Sequence, residues 1–203
     1  MKYLVPVLLL IIIVLVAVLA FSAGKSGFSV TKLETPTPTD SSQLSTSETP
    51  TPTQENTRKV TGGGILSFPK YEITVPASWQ DSKESGGMDD EKITLTKGSY
   101  KIAITQGGFG GAVCLYPGDA DMEGPSVRYD TFKELTTQSG DLFRRSWTGD
   151  ELTSSGFGIC HKSQYGWGAP TNYGHISFIT PGAKTKAMLE EMDSILTSLR
   201  KIN

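Results

Sequence analysis

The chain has 203 residues and a formal net charge of −2, with 20% charged and 37% hydrophobic residues. Acidic and basic residues are interleaved in its C-terminal part, so the sequence lacks the basic stripe with which nucleic-acid-binding proteins neutralise phosphates. The nearest approach to such a stripe is the pair Arg144 and Arg145, whose side chains a β-strand would point to opposite faces. Nucleic acid is therefore excluded as the expected partner.

The N-terminal segment predicts a membrane anchor. Residues 3–23 read YLVPVLLLIIIVLVAVLAFSA and contain no charge, and as a helix this run matches a hydrocarbon core of about 30 Å. The alternative is a cleaved signal peptide, whose apolar region spans only about 7–15 residues. We therefore predict a transmembrane signal anchor over 1–23, with the membrane as a partner through residues 3–23. The chain would be a single-pass protein of the cell membrane, with a cytoplasmic N-terminus and an extracytoplasmic C-terminal domain.

The anchor is followed by a low-complexity tract that is rich in Ser, Thr and Pro. It contains the repeat ETPTPTD at 34–40 and ETPTPTQ at 48–54. Such a composition buries too little apolar surface to offset the conformational entropy lost on folding. We predict a disordered stalk over residues 24–64, which acts as a linker between the membrane and the rest of the chain.

Residues 65–203 predict one globular α+β domain. Short runs of alternating apolar and polar residues indicate an antiparallel sheet of about six or seven strands. The step Lys97-Gly98-Ser99 is short and contains glycine, so the strands on either side of it are expected to form a hairpin. The runs are 71–75, 92–96, 100–105, 113–116, 142–147, 157–161 and 175–179.

The C-terminal segment from Ala183 to Leu199 predicts an amphipathic helix that packs on this sheet. Its acidic residues are assigned to the solvent-exposed face: Glu190, Glu191 and Asp193. Its apolar positions recur at helical spacing: Met188, Met192, Ile195, Leu196 and Leu199.

Three segments resemble the PsbP/Mog1-type α/β/α sandwich, and the likeness extends over most of residues 65–203. They are YEITVPASW at 71–79 with the hairpin after it, the strand HISF at 175–178, and the helix MDSILTSL at 192–199. The resemblance implies an antiparallel sheet packed by the C-terminal helix. It also implies an accessory or binding role, because the better-known members of the family are not catalysts.

The two cysteines, Cys114 and Cys160, lie in predicted strands of the outer domain. An even number of cysteines outside the cytoplasm predicts a disulfide, and two buried free thiols are the alternative. A thiol nucleophile is disfavoured because neighbouring residues on a strand point to opposite faces, so His161 cannot serve Cys160 as a base.

The glycine- and aromatic-rich tract at 164–174 is the predicted ligand contact, because exposed Tyr and Trp on loops are typical binding anchors. The contact residues are Tyr165, Trp167, Asn172 and Tyr173; the alternative is that Trp167 folds back over a sheet edge. We predict a non-catalytic extracytoplasmic binding or accessory module for a protein or an envelope polymer. No catalytic residue, metal or cofactor is assigned. The alternative function is a secreted or envelope hydrolase that uses His175 with a carboxylate.

Overall fold

The computed structural model describes residues 56–87 and 89–203, which form thirteen β-strands and one α-helix, α1 (Lys186–Thr197). The leader and most of the predicted stalk lie outside this range, so both stay predictions. The strands are β1 (Thr57–Gly63), β2 (Lys70–Pro76), β3 (Gln80–Ser85), β4 (Glu91–Lys97), β5 (Tyr100–Gln106), β6 (Ala112–Leu115), β7 (Ser126–Arg128), β8 (Thr131–Thr136), β9 (Leu142–Trp147), β10 (Phe157–Ser163), β11 (Gly166–Ala169), β12 (His175–Ile179) and β13 (Arg200–Ile202).

The predicted α/β/α sandwich is wrong, because the described residues are mostly β. They form two sheets rather than one, and α1 is their single helix, 12 residues long. Within the described residues, no helix has the length and apolarity needed to cross a membrane. The additional strands include β3, in which every side chain is exposed. A strand without a buried face has no apolar alternation, so the sequence pattern did not indicate it.

The folded part begins at Thr57 rather than at residue 65, so the predicted boundary of the stalk is also corrected. β1 pairs with β2 along its full length, from Thr57 opposite Pro76 to Gly63 opposite Lys70. Glycine is required in this strand, because a Cβ at Gly62 would overlap the side chain of Ile93. Gly62 and Gly63, which fall within the predicted stalk, therefore lie in a packed strand.

The smaller sheet has the order β1-β2-β13, and the larger one has the order β3-β4-β5-β12-β10-β11-β6-β7. Two further strands of the larger sheet lie outside this order: β9 pairs with β10, and β8 pairs with β9. All pairs are antiparallel except β6 with β7. The predicted hairpin is confirmed as β4–β5, in which Lys97 pairs with Tyr100 and Gly98 adopts a φ of 58° in the turn.

The main core lies between the two sheets and α1. Strands β2 and β4 alternate, with Ile73 and Ile93 buried and their neighbours partly exposed. Trp79 lies in this core, and its indole Nε1 donates to the Glu191 carboxylate at 2.6 Å. The helix contributes buried apolar side chains: Leu189, Met192, Ile195 and Leu196. The predicted amphipathic helix is confirmed over a shorter range.

Ser198 ends α1 and also completes the smaller sheet. Its Oγ accepts a hydrogen bond from the Thr74 N–H at 2.8 Å and lies 3.1 Å from the Thr74 carbonyl oxygen. β13 pairs Arg200 with Glu72, so continuing the same antiparallel register places residue 198 opposite residue 74. The hydroxyl oxygen therefore accepts the β2 hydrogen bond that the carbonyl of another strand residue would accept, while its own proton is directed to the Ile195 carbonyl at 2.6 Å.

Candidate functional site

β9 separates two clusters of side chains. Its residues Phe143, Arg145 and Trp147 point into the main core, whereas Arg144 and Ser146 point to the other face of the sheet. This alternation confirms the expectation that the two arginines point in opposite directions. The strand thus carries one arginine on each side, Arg145 buried and Arg144 partly exposed, and the two guanidinium groups have different partners.

On the inner side, Arg145 forms a buried ion pair with α1. The residue is only 1% exposed, its Nε donates to Asp193 Oδ1 at 2.7 Å, and its Nη2 donates to Glu151 Oε1 at 2.6 Å. Lys133 Nζ adds a second contact to Asp193 Oδ2 at 2.9 Å. Asp193 is therefore buried and paired, and its assignment to the solvent-exposed face was wrong.

On the outer side, the Arg144 guanidinium lies between two aromatic rings. Its Cζ is 3.6 Å from the centroid of Phe132 and 4.0 Å from that of Trp167, with Tyr116 at 4.6 Å. Glu134 accepts from Nη2 at 2.8 Å. Such stacking on aromatic faces suits a planar cation. We call these rings, Tyr129 and the two cysteines the outer aromatic cluster.

The predicted disulfide is confirmed. Cys114 and Cys160 are joined, with their Cα atoms 6.4 Å apart, so the bond ties β6 to the centre of β10. It closes a segment of 46 residues and holds residues 112–129 against the outer aromatic cluster. Because both sulfur atoms are used in the bond, neither is available as a thiol nucleophile.

The four predicted contact residues do not form one surface. Tyr165 is 90% exposed at the tip of the β10–β11 hairpin, whereas Trp167 folds back onto Arg144. Asn172 and Tyr173 both donate to the Asp141 carboxylate, at 2.5 and 2.8 Å, and Tyr173 is fully buried. Contact with a ligand stays a prediction, and of this set Tyr165 is best placed for it.

Within the described residues, His175 does not meet a carboxylate as the hydrolase alternative requires. The ring of His175 packs edge-on against Phe109 with centroids 5.0 Å apart, and within the described residues neither histidine forms an ion pair. The same residues contain no cluster of three or more His, Cys, Asp or Glu that could hold a metal ion. The geometry therefore gives hydrolysis no support.

Asp141 is the centre of a polar cluster next to His161. Burial opposes its ionisation, but hydrogen bonds from Tyr173, Lys201 and Asn172 outweigh this and hold the pKa of Asp141 below its ordinary value. Burial lowers the pKa of His161, and the negative charge of Asp141 offsets only part of that effect. Burial also raises the pKa of Tyr173 to about 12. The folded cluster thus favours a charged Asp141 and a neutral His161.

We expect this cluster to make the fold sensitive to acid. Because the folded chain holds the pKa of His161 below its unfolded value of about 6.5, the unfolded chain binds more protons as the pH falls through that value. The free energy of unfolding should therefore decrease as the pH is lowered from 7.5 to 5.5. Thermal unfolding at closely spaced pH values will measure it, and His161→Phe should flatten the slope in this window. The same decline in His161→Phe as in the wild type would contradict the assignment.

No family model, curated protein or solved structure matches this chain. The resemblance to PsbP/Mog1-type domains therefore stays a prediction based on the three sequence segments that suggested it. The function is argued from the geometry.

Proposed function

We propose that the chain is a non-catalytic binding or accessory module that works outside the cytoplasm and is held at the membrane through residues 3–23. The disulfide between Cys114 and Cys160 supports this compartment, because such bonds persist mainly in oxidising surroundings. The proposed ligand is a protein or a polymer of the cell envelope.

The proposal rests on one observation, that Tyr165 is exposed at the tip of a rigid hairpin. Its ring is almost fully exposed, yet the hairpin beneath it is fixed: the Tyr165 N–H donates to Ser163 Oγ at 3.1 Å, and Ser163 Oγ donates to the Gly166 carbonyl at 3.2 Å. At the base of the hairpin, Trp167 is stacked on Arg144. An exposed aromatic side chain on a rigid support loses little conformational entropy on binding, which is why such residues serve as anchors.

Replacing Tyr165 with alanine is expected to weaken retention of the detergent-solubilised full chain on lipid-extracted cell envelopes by about tenfold or more, the loss typical of an aromatic anchor. Extraction of the lipid leaves residues 3–23 no bilayer to enter, so that retention reports on the folded part. A sedimentation assay with purified chain and envelopes will measure the bound fraction. Ile179→Ala is the matched control, because Ile179 is also exposed and lies on a different strand, β12. Equal retention of the wild type and Tyr165→Ala, with both variants folded, would contradict the proposed contact.

A further inference from the structure

A groove lies at the end of β10 opposite the Tyr165 tip. It encloses about 320 Å³ and is lined by Tyr129, Thr148, Ser154, Ser155 and residues 156–158. This volume is at the lower end of the range for small-molecule sites, about 300–1,000 Å³. β10 is seven residues long, so its two ends are roughly 20 Å apart at about 3.3 Å per residue. A ligand here would not reach the hairpin tip, so the two sites can be tested separately.

The lining carries hydroxyl groups and no charged side chain. The hydroxyls of Tyr129, Thr148 and Ser155 have no hydrogen-bond partner within the described residues, whereas Ser154 Oγ donates to the Gly156 carbonyl at 2.7 Å. A hydroxyl donates one hydrogen bond and accepts up to two. Three such groups that face one groove therefore offer both donors and acceptors to a neutral polar ligand.

Tyr129 gives this groove a rigid aromatic wall. Its ring packs against Tyr116 with centroids 6.2 Å apart, and its backbone N–H donates to the Leu115 carbonyl at 2.9 Å. The phenol lies directly over Gly158, where any Cβ would overlap its oxygen. Gly158 is thus required for this placement of the ring.

The opposite wall is held by Lys184. This lysine is buried, and its Nζ donates to the Ser154 carbonyl and, at 3.2 Å, to the Gly182 carbonyl. The backbone N–H of Lys184 also donates to the Leu152 carbonyl at 3.0 Å. The loop that carries Ser154 and Ser155 is therefore anchored to the segment before α1, so both walls of the groove are formed in advance.

We propose that this groove binds a short neutral saccharide. A sugar ring has an apolar C–H face that packs on an aromatic wall and hydroxyls at its rim that pair with Tyr129, Thr148 and Ser155. An anionic ligand would meet no cationic side chain among the lining residues. The inference concerns a different surface from the hairpin tip and does not depend on Tyr165.

The test is a titration of the full ¹⁵N-labelled chain with cellobiose and, separately, N,N′-diacetylchitobiose, followed by amide chemical shifts. We expect saturable shifts at Gly156 and Gly158 with at least one of these disaccharides. Ser155→Trp fills the groove from an exposed position, and Tyr129→Phe removes one hydroxyl while keeping the ring. The first should abolish the shifts, and the second should weaken binding by about tenfold or less, the effect of one hydrogen bond.

Tyr165→Phe is the matched control for Tyr129→Phe, because it makes the same chemical change on the other surface. It should bind the disaccharide like the wild type. The proposal is overturned if neither disaccharide gives saturable shifts, if the shifts persist in Ser155→Trp, or if glucose 6-phosphate binds more tightly than both. A folded Ser155→Trp variant with normal envelope retention would separate this site from the Tyr165 contact.

Discussion

Replacing Asp193 with alanine is expected to destabilise the folded chain by about 3–5 kcal/mol, the usual result of removing one partner of a buried ion pair. Arg145 would keep only the contact of its Nη2 with Glu151, and its Nη1 is already buried without a hydrogen-bond partner among the described residues. The aromatic rings of Trp147 and Phe157, about 5 Å from the guanidinium, cannot replace a carboxylate. Urea unfolding at pH 7 will measure the loss.

Two further variants test whether the loss of stability comes from the unpaired charge of Arg145. The double replacement Arg145→Met with Asp193→Leu removes both charges and should recover most of the lost stability, because apolar side chains of similar volume often replace a buried ion pair without cost. Glu190→Ala is the matched control on the same helix, since Glu190 is exposed and should change stability by less than about 0.5 kcal/mol. A loss as small for Asp193→Ala as for Glu190→Ala would show that the ion pair is unimportant.

Removal of the disulfide by the double replacement Cys114→Ala with Cys160→Ala is expected to cost about 4 kcal/mol, the chain-entropy value for a loop of this length. The bond spans 46 residues and joins β6 to β10, two strands that are otherwise connected through the short strand β11. Without it, the segment that contains Tyr116 would be held by the short strands β6 and β7 and by the hydrogen bond between the Tyr116 and Ser146 hydroxyls. The midpoint of urea unfolding will measure the change.

A reducing agent supplies the control. It should lower the midpoint of the wild type to that of the double variant and leave the double variant unchanged. Near-ultraviolet circular dichroism should also lose intensity, because Tyr116 and Trp167 pack against the bonded cysteines. Identical midpoints for the oxidised wild type and the double variant would rule out a stabilising role for the bond.

The sequence predicted those elements that bury one face. The hairpin β4–β5 and helix α1 have apolar residues at the period of their secondary structure, and both are present. The exposed edge strands β3 and β7 have no such pattern, because what fixes them is pairing with a neighbour and not burial. Counting buried-face strands alone gave six or seven where the described residues form thirteen, and this led to the wrong fold class.

The inner ion pair was also missed, although the sequence contains a signal for it. Asp193 lies four residues after Leu189 and three before Leu196, both buried, so helical spacing places it on the apolar side. Arg145 likewise lies between Phe143 and Trp147 on the inward face of β9. A charged residue at a core position of each element indicates that the two are partners. The groove beside Tyr129 has no such signal, because its walls come from segments distant in sequence.

The dual role of Ser198 has a consequence for how the molecule opens. One hydroxyl terminates the helix and satisfies the free edge of β2 at Thr74, so fraying of the last helical turn also exposes the backbone of a strand. Local opening in this region is therefore shared between helix and sheet. The cooperative unit that exchanges its amide hydrogens together should cross the boundary between the two elements.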